Sequence, residues 1–95
     1  MRVIVYVSVG NSHDRLTQAE WHDFHVAMRA EVVTYAAVIH GEWFSDPVAK
    51  WQNASWCLEF DSNQDMIVAK KNATRIRTEF RQESVAWATA ATEFI

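Results

Sequence analysis

Residues 3–9 read VIVYVSV, an alternation in which every second residue is valine. Successive side chains of an extended strand point to opposite faces, so this period of two predicts a β-strand with its valines on one face. Ile4, Tyr6 and Ser8 fall on the other face. Because four valines on one face need an apolar cover, we expect helices to pack against that face.

A helix is predicted to follow the turn-forming residues at 10–14. Thr17 and Glu20 have the spacing of a capping box, which places the start of the helix at Thr17. Apolar residues then recur every three or four positions, a spacing that gathers them on one helix face. We expect this stripe to face the sheet; it consists of Trp21, Phe24, Met28, Val32 and Tyr35.

Four further elements complete the chain. Residues 36–44 are rich in β-favouring side chains and residues 54–60 alternate, which predicts two strands that form a hairpin. Helical spacing at 66–81, preceded by several possible N-cap residues, predicts a second helix. Alternation at 84–95 predicts the last strand, although its alanines also favour helix.

The predicted order of elements is βαββαβ. At this length, that order predicts an α+β, ferredoxin-like fold, a four-stranded antiparallel sheet with two helices on one face. The chain has 95 residues and only two glycines and one proline, with no linker or repeat beyond the two βαβ halves. We therefore expect one domain over residues 1–95.

Composition and charge restrict the class of protein to which this chain can belong. Hydrophobic residues make up 49% of the chain and the formal net charge is −3, which is typical of a globular protein and not of a disordered one. The single cysteine, Cys57, excludes an intramolecular disulfide and favours the cytoplasm. The sequence shows neither a membrane-spanning run nor a signal peptide, so we expect no membrane association.

The sheet face opposite the helices, here called the open face, is the first candidate site. It is expected to carry Tyr6, His40, Trp43 and Glu59, with Glu42 on the same side of the second strand as His40. Three interpretations are open: the face is exposed to solvent, its residues line a ligand pocket, or the face packs against a second copy to form a homodimer, which is the one that we expect.

Catalytic, metal and cofactor sites are not predicted. With only Gly10 and Gly41, the chain lacks a phosphate-binding loop and a hydrolase nucleophile elbow. Cys57 has no cationic neighbour in sequence, as expected of an inert packed thiol. His22 and His25 lie three apart but point in different directions around the helix, so we expect no metal ligands there.

Two surface features are candidates for binding another protein. Lys70, Arg77 and Arg81 are expected to share one edge of the second helix. RNA-recognition modules of this fold have a basic, glycine-containing third strand, whereas here that strand is acidic and lacks glycine, so we expect no nucleic-acid binding. Trp51 lies in the hairpin loop, where it either folds over the sheet edge as a lid on the core or contacts a partner.

Two segments, at 50–57 and 81–88, resemble segments of small uncharacterised proteins of actinobacteria and their phages. They read KWQNASWC and RQESVAWA. The resemblance runs from the first strand to the carboxyl end and carries over no catalytic residue. It implies a phage-encoded module that binds and perturbs a host protein in the host cytoplasm. We therefore expect a non-enzymatic protein-interaction module, the alternative being a small-molecule binder or enzyme of the dimeric α+β barrel type.

Overall fold

The computed structural model describes residues 2–95 and contains the strands and helices in the expected order. Their bounds are β1 Val3–Gly10, α1 Gln18–Glu31, β2 Val38–Phe44, β3 Asn53–Phe60, α2 Asn63–Glu79 and β4 Ala86–Ala90. Short 3₁₀ turns precede and follow α1, at Ser12–Asp14 and Val33–Tyr35.

The four strands form one antiparallel sheet in the order β2-β3-β1-β4, with both helices on one face. This is the ferredoxin-like arrangement, so the predicted fold is confirmed. Val5 and Val7 are fully buried, and Val7 lies opposite Trp56 on β3 and Trp87 on β4. The valine face is therefore the helix-covered face, as its alternation predicts.

The first helix begins as predicted but ends differently. Thr17 and Glu20 form both hydrogen bonds of the capping box. The expected stripe is buried from Trp21 to Val32, whereas Tyr35 is exposed. Val32, which follows the end of α1, has a non-helical φ of −122°, and this break turns the following 3₁₀ segment relative to the helix. Val33 therefore takes the inward position expected of Tyr35.

The last strand is shorter than predicted. β4 pairs only with β1, and its Ala90 lies opposite Ile4, near the start of β1, so little partner backbone remains beyond that point. Residues 91–95 are not in a strand. The Phe94 ring instead lies 4.2 Å from the Arg2 guanidinium and 6.4 Å from the His40 ring, which takes this segment across the end of the open face towards β2.

Candidate functional site

The four residues expected on the open face all lie there. Tyr6 is opposite Cys57, out of phase with the valines, and Glu59 is opposite Ile4. His40 reaches the Glu59 carboxylate. The Trp43 ring lies over Gly41, where an added Cβ would come within 2.6 Å of it, so glycine is needed for this packing.

An ion network forms one end of the open face. Glu59 Oε2 accepts a hydrogen bond from Arg2 Nε at 3.0 Å. Glu59 Oε1 lies within hydrogen-bond distance of His40 Nε2, also at 3.0 Å. The Glu59 residue is more than nine-tenths buried. Hydrogen bonds from His40 and then from Arg2 lower the pKa of this carboxyl below its usual value of 4.5, outweighing the opposite effect of burial. The carboxylate is therefore held in its charged form.

This network predicts an acid sensitivity of folding. A carboxyl whose pKa is depressed in the folded state stabilises the fold fully above its unfolded pKa, and the stabilisation is lost as the pH falls through the folded pKa. We expect the wild type to lose stability as the pH is lowered below about 4.5, and Glu59→Gln to lose less over the same interval. Urea unfolding followed over that pH range measures the difference, and equal slopes for the two proteins would contradict the assignment.

The centre of the open face presents aromatic surface. Tyr6 is 45% exposed and Trp43 is 54% exposed. Val38 on β2, opposite Glu59, is also exposed, and β4 contributes only alanines to this face, at 86, 88 and 90. The sequence predicted the open-face position of Tyr6 and Trp43, and the structure adds Val38 and the alanines of β4 and leaves the apolar side chains of Tyr6, Val38 and Trp43 in contact with solvent.

A second candidate, here called the loop end, is built by buried polar side chains from distant parts of the chain. Asn11 donates to Gln52 Oε1 at 3.0 Å, and its amide also bonds both backbone groups of Leu16. Gln82 Oε1 accepts from the Ser12 backbone N–H at 2.8 Å. The loops β1–α1, β2–β3 and α2–β4 are thereby joined at one end of the sheet.

Trp51 lies at the loop end and is 66% exposed. The Lys50 ammonium is 5.4 Å from the centre of its ring, and the ring borders a shallow cavity of about 410 Å³ that reaches Ser8 and Asn53. The interpretation of Trp51 as a lid on the core is therefore wrong, because a lid would be covered on its inner face and largely buried. Its role in an interface stays a prediction.

The basic edge expected on the second helix is only partly formed. Lys70 and Arg77 lie together near Trp87 on β4. Arg81 does not join them, because α2 ends at Glu79 and Arg81 adopts a left-handed conformation with φ of 55°. Its guanidinium instead pairs with Glu20 of α1 at 2.7 Å.

Sequence reasoning missed a third feature, a groove between α1 and β2 of about 580 Å³. A β-bulge between Ile39 and Gly41 shifts the alternation of β2. Glu42 therefore turns to the helix side, where its carboxylate accepts a hydrogen bond from Trp56 Nε1 at 2.7 Å. The prediction that His40 and Glu42 share a face is wrong, and nothing in the local sequence other than Gly41 signals the bulge.

Residues 2–95 build neither a metal-binding cluster nor a membrane-spanning helix. Within residues 2–95, no group of three or more His, Cys, Asp and Glu side chains is placed to hold a metal ion. His22 and His25 stack edge to face at 5.1 Å, but only as a pair. None of the helices in this part of the chain is long and apolar enough to cross a membrane.

The ferredoxin-like fold supports many unrelated functions, so the fold alone does not identify the function of this chain. Comparison of the chain with protein-family models, with curated proteins and with solved structures finds no match.

Proposed function

We propose that the protein is a non-enzymatic protein-interaction module that acts as a homodimer through the open face of its sheet. One observation carries the proposal: the chain's own helices leave this face uncovered, although it presents Tyr6, Val38 and Trp43 as half-exposed apolar side chains. Burying such side chains releases about 25 cal/mol per Å² of apolar surface, which favours association.

The open face is large enough to form the central part of an interface. Four strands about 4.8 Å apart and about six residues long give a face of roughly 20 Å by 20 Å, or about 400 Å². A standard interface buries roughly 800 Å² of accessible surface on each partner, so we expect residues around the open face to contribute as well. Its apolar centre and its polar end at Glu59 reproduce the usual arrangement of an interface, in which charged groups stay at the rim.

A second copy fits this face better than a charged partner does. The charges at its rim already neutralise one another, because Arg2 and His40 both contact Glu59. The alanines at 86, 88 and 90 on β4 leave room beside Tyr6 on β1, at the edge of the sheet opposite Trp43 on β2. Two such faces related by a twofold axis can place the aromatic part of one against the small side chains of the other.

Trp51 supplies a separate contact surface for a different protein. It lies at the loop end and not at the centre of the open face, and exposed tryptophans are enriched among the residues that dominate binding energy. A host protein, as implied by the resemblance, is the partner that we propose for this surface.

The dimer predicts a mass of twice the chain's 11.0 kDa in light scattering at micromolar concentration. Trp43→Glu is expected to weaken dimerisation by at least about tenfold, because it puts a charge at the centre of the interface. Trp51→Glu is the matched control, since it changes another exposed tryptophan in the same way, and it is expected to remain a dimer. Circular dichroism checks that both variants are folded.

Two results would contradict the dimer proposal. One is a wild-type protein of 11.0 kDa throughout the micromolar range. The other is a Trp43→Glu variant that dimerises as tightly as the wild type. Weakening by Trp51→Glu with no effect of Trp43→Glu would move the interface to the loop end.

A further inference from the structure

The groove between α1 and β2 is open where the core of this fold would be expected to close. Ile39 and Phe44 lie on the helix side of the sheet, yet they are 40% and 49% exposed because α1 does not cover the edge strand. A smaller cavity of about 350 Å³ adjoins the groove, sharing His25 and Phe44 with it and reaching Trp21. Both volumes are in the range of small-molecule sites.

One carboxylate is fixed on the wall of this groove. Glu42 Oε1 accepts from the indole N–H of Trp56 at 2.7 Å and lies 3.3 Å from Arg29 Nε. Trp56 is fully buried, so the indole holds the carboxylate in one position. Both of these donors reach the same oxygen, which leaves Oε2 to accept a hydrogen bond from a ligand.

The polar groups of the groove balance one another. The positive charge of Arg29 offsets that of the Glu42 carboxylate. Burial, and then the neighbouring His22, lower the pKa of His25 below 6.5 despite the opposing effect of Glu42. The His25 imidazole is thus neutral at pH 7, and it packs against the Phe44 ring at 5.0 Å. A site with largely apolar walls and no net charge suits a neutral ligand.

We propose that this groove binds a neutral, flat aromatic molecule that carries an O–H or N–H donor. Its ring lies between Phe44 on the sheet and Val26 and Ala30 on α1, which line the groove. Its donor bonds to Glu42 Oε2. The groove is on the helix side of the sheet, so this binding is independent of a dimer formed through the open face.

Two probes of similar shape test the donor requirement. 2-Naphthol has an O–H donor, and 2-methoxynaphthalene lacks it. In titrations followed by ¹H–¹⁵N correlation spectra, we expect the wild type to bind 2-naphthol about tenfold more tightly, as for one hydrogen bond to a charged acceptor. Glu42→Gln keeps an oxygen for Trp56 but presents an amide donor to the ligand, so we expect it to abolish or reverse this preference.

A filled groove supplies the second test. Val26→Trp places a large side chain at an exposed position on the groove wall and is expected to weaken binding of both probes by at least about tenfold. Val48→Trp makes the same change at an exposed position in the β2–β3 loop and is expected to leave binding unchanged.

The proposal is overturned if neither probe gives saturable shifts at the groove residues. It is also overturned if the two probes bind the wild type equally, since that shows only adsorption to apolar surface. Equal binding of the probes to the wild type and to Val26→Trp would place the binding site elsewhere, and this result also overturns the proposal. Light scattering on the same samples reports the dimer separately, so failure of one proposal is not mistaken for failure of the other.

Discussion

Replacing Trp56 by alanine is expected to lower the free energy of unfolding by about 3–5 kcal/mol, the usual cost of truncating a large aromatic side chain in a core. Trp56 is fully buried on β3, opposite Val7 of β1 and Glu42 of β2. The substitution leaves a cavity and also removes the N–H that bonds the Glu42 carboxylate. Equilibrium unfolding in urea, with the slope compared between variants, measures the loss.

Trp51→Ala is the control for this prediction. Its side chain is two-thirds exposed, so removing it is expected to change the free energy of unfolding by no more than about 0.5 kcal/mol. Comparable losses from the two substitutions would show that Trp51 covers the core, contrary to the structure. A small loss from Trp56→Ala would show that the sheet is not packed as described.

The second large effect is expected from Asn11→Ala, which should lower the free energy of unfolding by about 2–4 kcal/mol. Asn11 is buried and bonds Leu16 N–H, Leu16 C=O and Gln52 Oε1. Alanine leaves these buried groups without their partner, and each such group costs about 1–3 kcal/mol if water does not replace it. Hydrogen exchange of the Leu16 amide is expected to accelerate, because its acceptor is removed.

Asn63→Ala is the matched control for Asn11. Asn63 is exposed at the first turn of α2, so its replacement is expected to have little effect on stability and none on exchange at Leu16. Equal destabilisation by the two substitutions would contradict the assigned role of Asn11. So would an Asn11→Ala variant in which the Leu16 amide exchanges at the wild-type rate.

Much of the fold was predictable because its signals are local. The alternation at 3–9 identifies a strand and its buried face, and the capping box at Thr17 and Glu20 places the start of α1. Both patterns act within a few residues of chain. The open-face position of Tyr6 followed from the same alternation, whereas His40 and Trp43, three residues apart, share that face only because of the bulge in β2.

The ends of the elements were less predictable because they depend on packing. α2 ends in a Schellman motif, with Gln82 N–H bonded to Arg77 C=O and Arg81 N–H bonded to Thr78 C=O. Glycine usually occupies the left-handed position of that motif, and here it is Arg81. Because no glycine marks the end of α2, the helical spacing predicted a helix that continues to Arg81, and it wrongly placed Arg81 on the same edge as Lys70 and Arg77.

By itself, the sequence determined which residues form strands and helices and which face of the first strand is buried, because these depend on side-chain period and local hydrogen bonds. The tertiary structure alone decided which polar groups meet. Asn11 and Gln52 are 41 residues apart, and Ser12 and Gln82 are 70 apart. The bulge in β2 turned Glu42 into the groove. Such contacts depend on the register between distant strands, and no short stretch of sequence encodes that register.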